Sequence, residues 1–333
     1  MSTAALLQAP AQSAEPAEAA EQAAPRVIVP GSPEWHAIRR TGIGGSDVAA
    51  VLGVSPWRTA YEVFLDKRGE LPPQEESEPM RWGTLLEPVI RQRYADKTGS
   101  PVITIPTTFR SEAYPWMIAN LDGIRRDNAT PRLFEAKTAR SGEDWGEPGS
   151  DEVPLAYLLQ VQHYMTVTPF KLTDIAVLIG GNDFRIYTVE ADRELQEMLI
   201  EAEAEFWHRV KANDPPPPVD LQDTRRRYGS LSAKGSVTAR EEDLLTLERL
   251  RETRQLLSEL GEAEDEAKAR LMKVIGEAGD VLVHPSTAKP LATWKLAKAP
   301  QRFDEEAFAR EHPELHRKYI QPGTPSRRFL LKG

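Results

Sequence analysis

Leu133-Phe134-Glu135-Ala136-Lys137-Thr138 reads as a short strand. Side chains alternate along a strand with period two, so Glu135 and Lys137 share a face. Upstream, Asn120-Leu121-Asp122-Gly123-Ile124-Arg125 reads as its mate, with a turn cluster at Asp127-Asn128-Ala129-Thr130-Pro131 between them. A hairpin centred on that turn sets Asp122 opposite Lys137 and Ile124 opposite Glu135. Two carboxylates and an amine then occupy one patch. Like charges brought that close repel unless a cation lies between them. A hard divalent ion with oxygen ligands, Mg²⁺ above all, suits carboxylate plus phosphate. The lysine is then placed to orient an attacking water.

The bulk composition sets the bounds. The chain has 333 residues, 40 % of them hydrophobic, enough for a real core. No apolar run reaches the length of about 18 residues that a spanning helix needs. No basic start followed by an apolar block marks a secretion signal, so the expected location is the cytoplasm of a bacterial or phage-infected cell. Cysteine is absent, which excludes disulfides and a cysteine-bound iron–sulfur cluster. The formal charge of −9 is unlike that of most nucleic-acid binders, although a local basic groove can still take phosphate.

Outward from the hairpin, residues 1–26 have the Ala, Glu, Gln and Pro composition of a disordered tail. Ordered structure is expected from Arg26 to Pro30 onward, and Ser32 and Pro33 open a helix through Trp35, Ile38 and Arg39. Thr41-Gly42-Ile43-Gly44-Gly45-Ser46-Asp47 is either a tight glycine turn or a phosphate seat, with Ser46 or Asp47 capping a helix over Val48 to Leu52. Ser55-Pro56-Trp57-Arg58-Thr59 caps a helix from Ala60 to Lys67. Thr84 and Glu87 fit a capping box opening an amphipathic helix. Short strands follow at Val102–Pro106, Thr108–Ser111 and Trp116–Ile118. Pro154 to Thr168 reads as a helix with Gln160 and Tyr164 on one face. Ile175–Ile179 reads as a central strand, Phe184–Val189 as its partner, and Asp192 as the cap of a helix ending near Val210. The pattern predicts an α/β (α+β) fold with a central mixed sheet flanked by helices.

The expected domains are 27–214, a Pro-rich polar linker 215–236, a helical segment 237–278 and a small β-rich module 279–333. Arg225-Arg226-Arg227 reads as an exposed solvated run. Residues 238–277 form either one long helix or a hairpin broken at Gly261, striped by Leu256, Leu260, Ala263, Ala267, Leu271 and Val274. Val281–His284 and Leu291–Leu296 read as a hairpin, Phe303–Lys318 as a short helical segment, and Arg327–Leu331 as a final strand.

Taken together, Asp122 and Glu135-Ala136-Lys137 look like the PD-(D/E)xK nuclease core, with Leu121 where the nominal proline would stand. The order Trp35, Arg39, Gly44-Gly45-Ser46, then Trp82-Gly83-x-x-x-Glu87, then Tyr157-x-x-Gln160-Val161-Gln162 resembles the YqaJ-like viral recombinase and lambda-exonuclease family, over Trp35 to Thr168. The resemblance implies a restriction-endonuclease-like core and a Mg²⁺-dependent exonuclease, with Mn²⁺ able to substitute. It implies Asp122, Glu135, the Ala136 carbonyl and Glu87 around the metal, Lys137 as the catalytic lysine and Gln160 beside it. Arg39 and Ser46 would hold a 5′-phosphate, with Arg40, Tyr157 and Gln162 as further DNA contacts. The implied partners are double-stranded DNA ends, a single-strand annealing protein and further copies of the chain in a ring-shaped trimer. An endonuclease on the same core and a non-catalytic DNA-end binder are the rival readings.

Overall fold

The structure, a computed structural model, describes residues 31–71, 77–126, 130–232, 235–276, 278–323 and 325–332. The expected tail 1–26 and the first ordered residues through Pro30 lie outside these. The described residues group into two compact units that divide after Arg227.

The first unit begins with α1 (Pro33–Arg39), β1 (Ile43–Gly44), α2 (Gly45–Val51), α3 (Ala60–Lys67) and α4 (Glu78–Thr98). Short strands follow: β2 (Val102–Ile103), β3 (Thr108–Arg110), β4 (Met117–Asn120) and β5 (Gly123–Arg125). Then come β6 (Arg132–Ala139), α5 (Leu155–Val167), β7 (Leu172–Ile179), β8 (Asp183–Glu190), α6 (Arg193–Ala212) and α7 (Leu221–Tyr228).

Local chemistry explains most helix starts. Ser32 accepts from Trp35 N–H with Pro33 in the first turn, and Asp192 accepts from Leu195 N–H. Thr59 and Glu62 form a reciprocal capping box on α3. Two expected caps are different. Helix α2 starts at Gly45, so Ser46 and Asp47 lie in its first turn, and Asp47 reaches back to the Gly44 N–H. Helix α4 starts at Glu78, with Pro79 in its first turn, so Thr84 and Glu87 are not a capping box. The Thr84 hydroxyl instead turns back onto the Met80 carbonyl, and the helix continues through Pro88.

The main sheet has the order β2-β5-β6-β7-β8. Strands β6 and β7 are parallel because the chain crosses over through α5; the other neighbours are antiparallel. Alternation along β6 divides the core. Leu133 packs with Val161, Tyr164 and Met165 of α5, whereas Phe134 and Ala136 pack with Ile90 and Tyr94 of α4. The sheet is thus covered on both faces, as the apolar run of β7 requires. Helix α6 seals the α5 side with Leu199, Phe206 and Val210, at spacings of seven and four. Buried His163 of α5 joins Glu203 of α6 and the Ile118 carbonyl of β4, each at 2.8 Å.

The stretch 120–125 is not one strand. Asn120 ends β4 in a small sheet of order β1-β4-β3, and β5 begins at Gly123 in the main sheet. The chain changes sheets at Leu121-Asp122. The hairpin register also differs from the expectation by two residues: Gly123 pairs with Phe134 and Ile124 with Leu133. Continuing that register sets Asp122 level with Glu135 rather than Lys137. A two-residue shift preserves the face, so the carboxylates still converge; a one-residue slip would have separated them.

Residues expected as polar linker contain α7, which packs on α3. Buried Asp223 accepts from the Thr59 hydroxyl at 3.1 Å, Arg226 pairs with Glu62, and Arg227 donates to the Pro215 and Pro216 carbonyls. Arg226 and Arg227 are therefore fastened rather than a free solvated run. In the second unit α8 (Glu241–Ile275) is one helix that passes through Gly261 unbroken. Its stripe stays in solvent, with Leu256, Leu260 and Val274 all exposed. Strands β9 (Val281–Val283) and β10 (Pro290–Thr293) form the expected hairpin. Phe303–Lys318 divides into α9 (Glu305–Glu311) and α10 (Pro313–Tyr319), with Pro313 opening the second. Arg327–Leu331 joins no sheet, although the Arg327 N–H donates to the Gly229 carbonyl.

Candidate active site

Glu135, Lys137 and Gln160 form one hydrogen-bonded group, and Asp122 is fixed beside it on the backbone of β6. Asp122 Oδ2 accepts from the Ala136 N–H at 2.9 Å, which fixes the carboxylate against the middle of β6. Lys137 Nζ donates to Glu135 Oε1 at 2.7 Å and to Gln160 Oε1 at 3.0 Å. The Gln160 amide completes the ring by donating to Glu135 Oε1 at 2.7 Å, and also to the Tyr164 hydroxyl at 2.9 Å. Two strand residues with period two meet two helix residues spaced i, i+4, which is why one face of β6 and one face of α5 suffice. The Lys137 ammonium also lies 4.8 Å above the Tyr157 ring.

The electrostatics of this group are unbalanced. Burial, with the Asp122 charge next, pushes the Glu135 carboxyl up to about 8. Asp122 is raised by burial, despite Lys137, and Glu87 by burial and then Asp122. Burial works against the Lys137 charge, but Glu135 and Asp122 outweigh it and hold its pKa above the ordinary value. Glu87 comes from α4, where it pairs with Arg91.

Glu135 Oε2 is buried and has no hydrogen-bond partner. Glu203 Oε2 is equally unpartnered, but its carboxylate already faces His163. At Glu135 the surplus is negative, so a cation answers both the orphaned oxygen and the repulsion. Among the described residues no three His, Cys, Asp or Glu side chains form a ready-made cage. The residues that could hold an ion are Asp122 and Glu135, with the Ala136 carbonyl and Glu87 as further oxygen donors nearby in sequence or charge. All are hard oxygen donors, which suits Mg²⁺ or Mn²⁺.

A second cluster lies at the start of α2. Asp47 is fully buried and meets Lys67 at 2.6 Å, Arg58 at 3.2 Å and Arg39 at 3.4 Å. Burial alone would raise its pKa, but the three cations hold it well below the carboxylate range. Arg39 also donates to the Ser46 hydroxyl at 3.0 Å and stacks over Trp35 at 4.6 Å. Arg39 and Arg58 are each about a quarter exposed, and Arg58 also pairs with Asp66 at 3.3 Å. Guanidinium donors beside the exposed Ser46 hydroxyl are chemistry that could take an anion.

Gly45 joins the two clusters. A Cβ there would lie 2.5 Å from Tyr164 Cε1 and 3.0 Å from Gln160 Cγ, so only glycine lets α2 approach α5 this closely. Gly123, next to Asp122, is similarly tight: a Cβ would stand 2.4 Å from Val102 Cγ1.

Two expected contacts are placed elsewhere. Arg40 is exposed at the end of α1 and leans toward Gly69, outside the Arg39 group. Gln162 is buried with its amide fully used: it donates to the Glu190 carbonyl at 2.7 Å and accepts from Asp192 N–H and Gln196. It fastens the β8–α6 corner and is not turned to a substrate, because alternate residues of a helix diverge by more than a right angle. The grouping of Lys67, Arg58 and Asp47 is not legible in the sequence. Their spacing carries no motif, and only the packing of α3 on α2 brings them together.

Comparison with known proteins bears on this geometry. Residues 34–171 match the YqaJ-like viral recombinase domain. Uncharacterized protein YqaJ of Bacillus subtilis (strain 168) is 30 % identical over 306 residues, 90 % of this chain and 93 % of that protein. The chain belongs to the YqaJ family. Protein D345L of African swine fever virus (strain Badajoz 1971 Vero-adapted) is 43 % identical over 160 residues, covering 41 % of this chain and 46 % of that protein. Among solved structures, the alkaline exonuclease LHK-Exo of Laribacter hongkongensis aligns with 59 % of this chain and 97 % of its own, at 22 % identity and a TM-score of 0.44. Every residue of both clusters lies inside the matched YqaJ segment.

Proposed function

We propose that this YqaJ-family chain is a divalent-metal-dependent deoxyribonuclease that engages the 5′-phosphate of a linear duplex and releases 5′-mononucleotides. The observation that carries the reading is Glu135: a buried carboxylate held by Lys137 and Gln160, crowded by Asp122, with one oxygen unanswered.

When bound, Mg²⁺ supplies Lewis-acid polarisation of the phosphate and a more acidic water. The chain's own groups do the rest. Asp122 and Glu135 would hold the ion, with the Ala136 carbonyl and Glu87 as further oxygen donors. Lys137 orients the attacking water and offsets charge that develops on the phosphate. Gln160 holds the ammonium and the carboxylate at a constant angle. Arg39 and Ser46 take the terminal phosphate, whose extra charge relative to an internal diester favours ends. The remaining strand would be a 3′ overhang for a single-strand annealing protein in recombination. A trimeric ring and a cytoplasmic location belong to the same reading.

The test uses one plasmid in two forms, relaxed closed circle and linear duplex with 5′-phosphates, incubated with the full chain and Mg²⁺. Degradation of the linear form alone, with mononucleotides released, is the expected result. Cutting of the closed circle would make the chain an endonuclease and remove the end-binding role of Arg39 and Ser46. Binding without cleavage of either form would favour a non-catalytic end binder.

A further inference from the structure

Trp57 is used by neither cluster. It lies between α2 and α3 in a turn held by Ser55, whose hydroxyl accepts from the Trp57 N–H at 3.1 Å and the Arg58 N–H at 3.2 Å. Arg58 is itself clamped by Asp47 and by Asp66 at 3.3 Å, so the backbone under the indole is anchored. The indole stacks on Tyr157 with centroids 5.8 Å apart and planes at 27°. Tyr157 leans in turn on Trp145 at 5.7 Å. The inner end of this file of rings is buried, with Trp145 8 % exposed, and the outer end is open, with Trp57 64 % exposed. A ring kept for folding would be expected at the buried end; a large apolar ring at the open end is available to a ligand.

The position is informative. Tyr157, on which Trp57 rests, is the ring beneath the Lys137 ammonium. Arg58, the next residue, belongs to the cations around Asp47 beside Ser46. Trp57 thus stands between the groups that answer phosphate and the lysine that faces the carboxylates. A nucleotide whose phosphates span those two clusters brings its base to the indole. Every base has a π-face, so stacking grips DNA without reading sequence.

We propose that Trp57 stacks on a nucleobase at the end of the DNA strand and holds it over the Lys137 site. The proposal rests on the nuclease reading and adds the group that grips the base. In steady-state cleavage of a 5′-phosphorylated linear duplex, Trp57→Ala should raise KM roughly 5- to 150-fold, with kcat less affected and Tm unchanged. Trp57→Phe should recover most of the loss, whereas Trp57→Leu, apolar but without a ring, should not; the Leu variant also serves if the Ala variant folds poorly. On a duplex whose terminal nucleotides are abasic, wild type should fall toward the Ala variant and that variant should lose nothing more. An unchanged KM in Trp57→Ala, or an equal loss on abasic ends, would overturn the proposal. A separate arm needs no catalysis: a 5′-phosphorylated oligonucleotide with terminal 2-aminopurine should be quenched by metal-free wild type and not by Trp57→Leu. Quenching by the metal-free protein with no cleavage once Mg²⁺ is supplied would sink the nuclease reading and leave the stacking intact; no quenching by wild type would sink the stacking.

Discussion

Asp47 and Glu135 are both buried carboxylates touching a lysine, yet their surroundings drive them in opposite directions. Asp47 meets three cations and the Gly44 N–H, and its pKa is held below the carboxylate range. Glu135 meets one lysine and one amide, faces Asp122 and keeps an unpartnered oxygen, and burial pushes its carboxyl up to about 8. The first cluster is complete in itself and has positive charge to spare. The second is complete only with a cation. A charge taken from water must be answered, and on the proposed reading the shortfall is met by an anion in one place and by a metal in the other.

The largest effect should come from exchanging the two responses. Asp47→Ala leaves buried Lys67 without its partner, a loss of about 3–5 kcal/mol that denaturant unfolding would register. Glu135→Gln should do the reverse, keeping or raising Tm while cleavage and the stabilisation given by Mg²⁺ are both lost. If Glu135→Gln destabilised the fold as much as Asp47→Ala, the contrast between the sites would fail.

The second prediction concerns pH. The folded chain keeps the Glu135 proton up to about 8, whereas an unfolded chain loses it near the ordinary glutamate value of 4.5. Between those values the native state binds more protons, so this group's contribution makes the metal-free fold less stable as pH rises. A divalent ion favours the ionised form, so the Tm gained on adding Mg²⁺ should grow from pH 5 to pH 8, and calorimetry in buffers of different ionisation heat should show proton release on binding. A Tm gain that is flat across the window, or that Glu135→Gln retains in full, would exclude Glu135 as a ligand.

The smallest effect separates two neighbours. Arg39→Ala should raise KM for 5′-phosphorylated ends more than for 5′-hydroxyl ends, because the lost donors face the terminal phosphate. Arg40→Ala should change stability by less than about 0.5 kcal/mol and leave that preference alone. Equal effects from both would mean that the phosphate does not sit at Ser46.

Much of this was readable along the chain because it depends on short-range rules. Period two in Glu135-x-Lys137, the i, i+4 pair Gln160 and Tyr164, and the caps at Ser32, Thr59 and Asp192 each follow from the backbone within a few residues. The central core strand and its cover on both faces were legible for the same reason. Errors arose where two local signals competed or where a partner was distant. Thr84-x-x-Glu87 looks like a capping box until Glu78-Pro79 is seen to start the helix earlier. Gln162 shares a motif with Gln160 but occupies another side of α5, against a corner more than 25 residues away in sequence.

The sequence alone therefore determined most of the elements of the first unit, its apolar faces and the residue types that could meet a metal and a phosphate, since these follow from local geometry and side-chain chemistry. Tertiary structure decided the register that levels Asp122 with Glu135, the sheet change at Leu121-Asp122, the gathering of Arg39, Arg58 and Lys67 on Asp47, and the open ring of Trp57 above Tyr157. Those depend on which surfaces fit when distant segments pack, and free energy of that kind belongs to no single stretch of the chain.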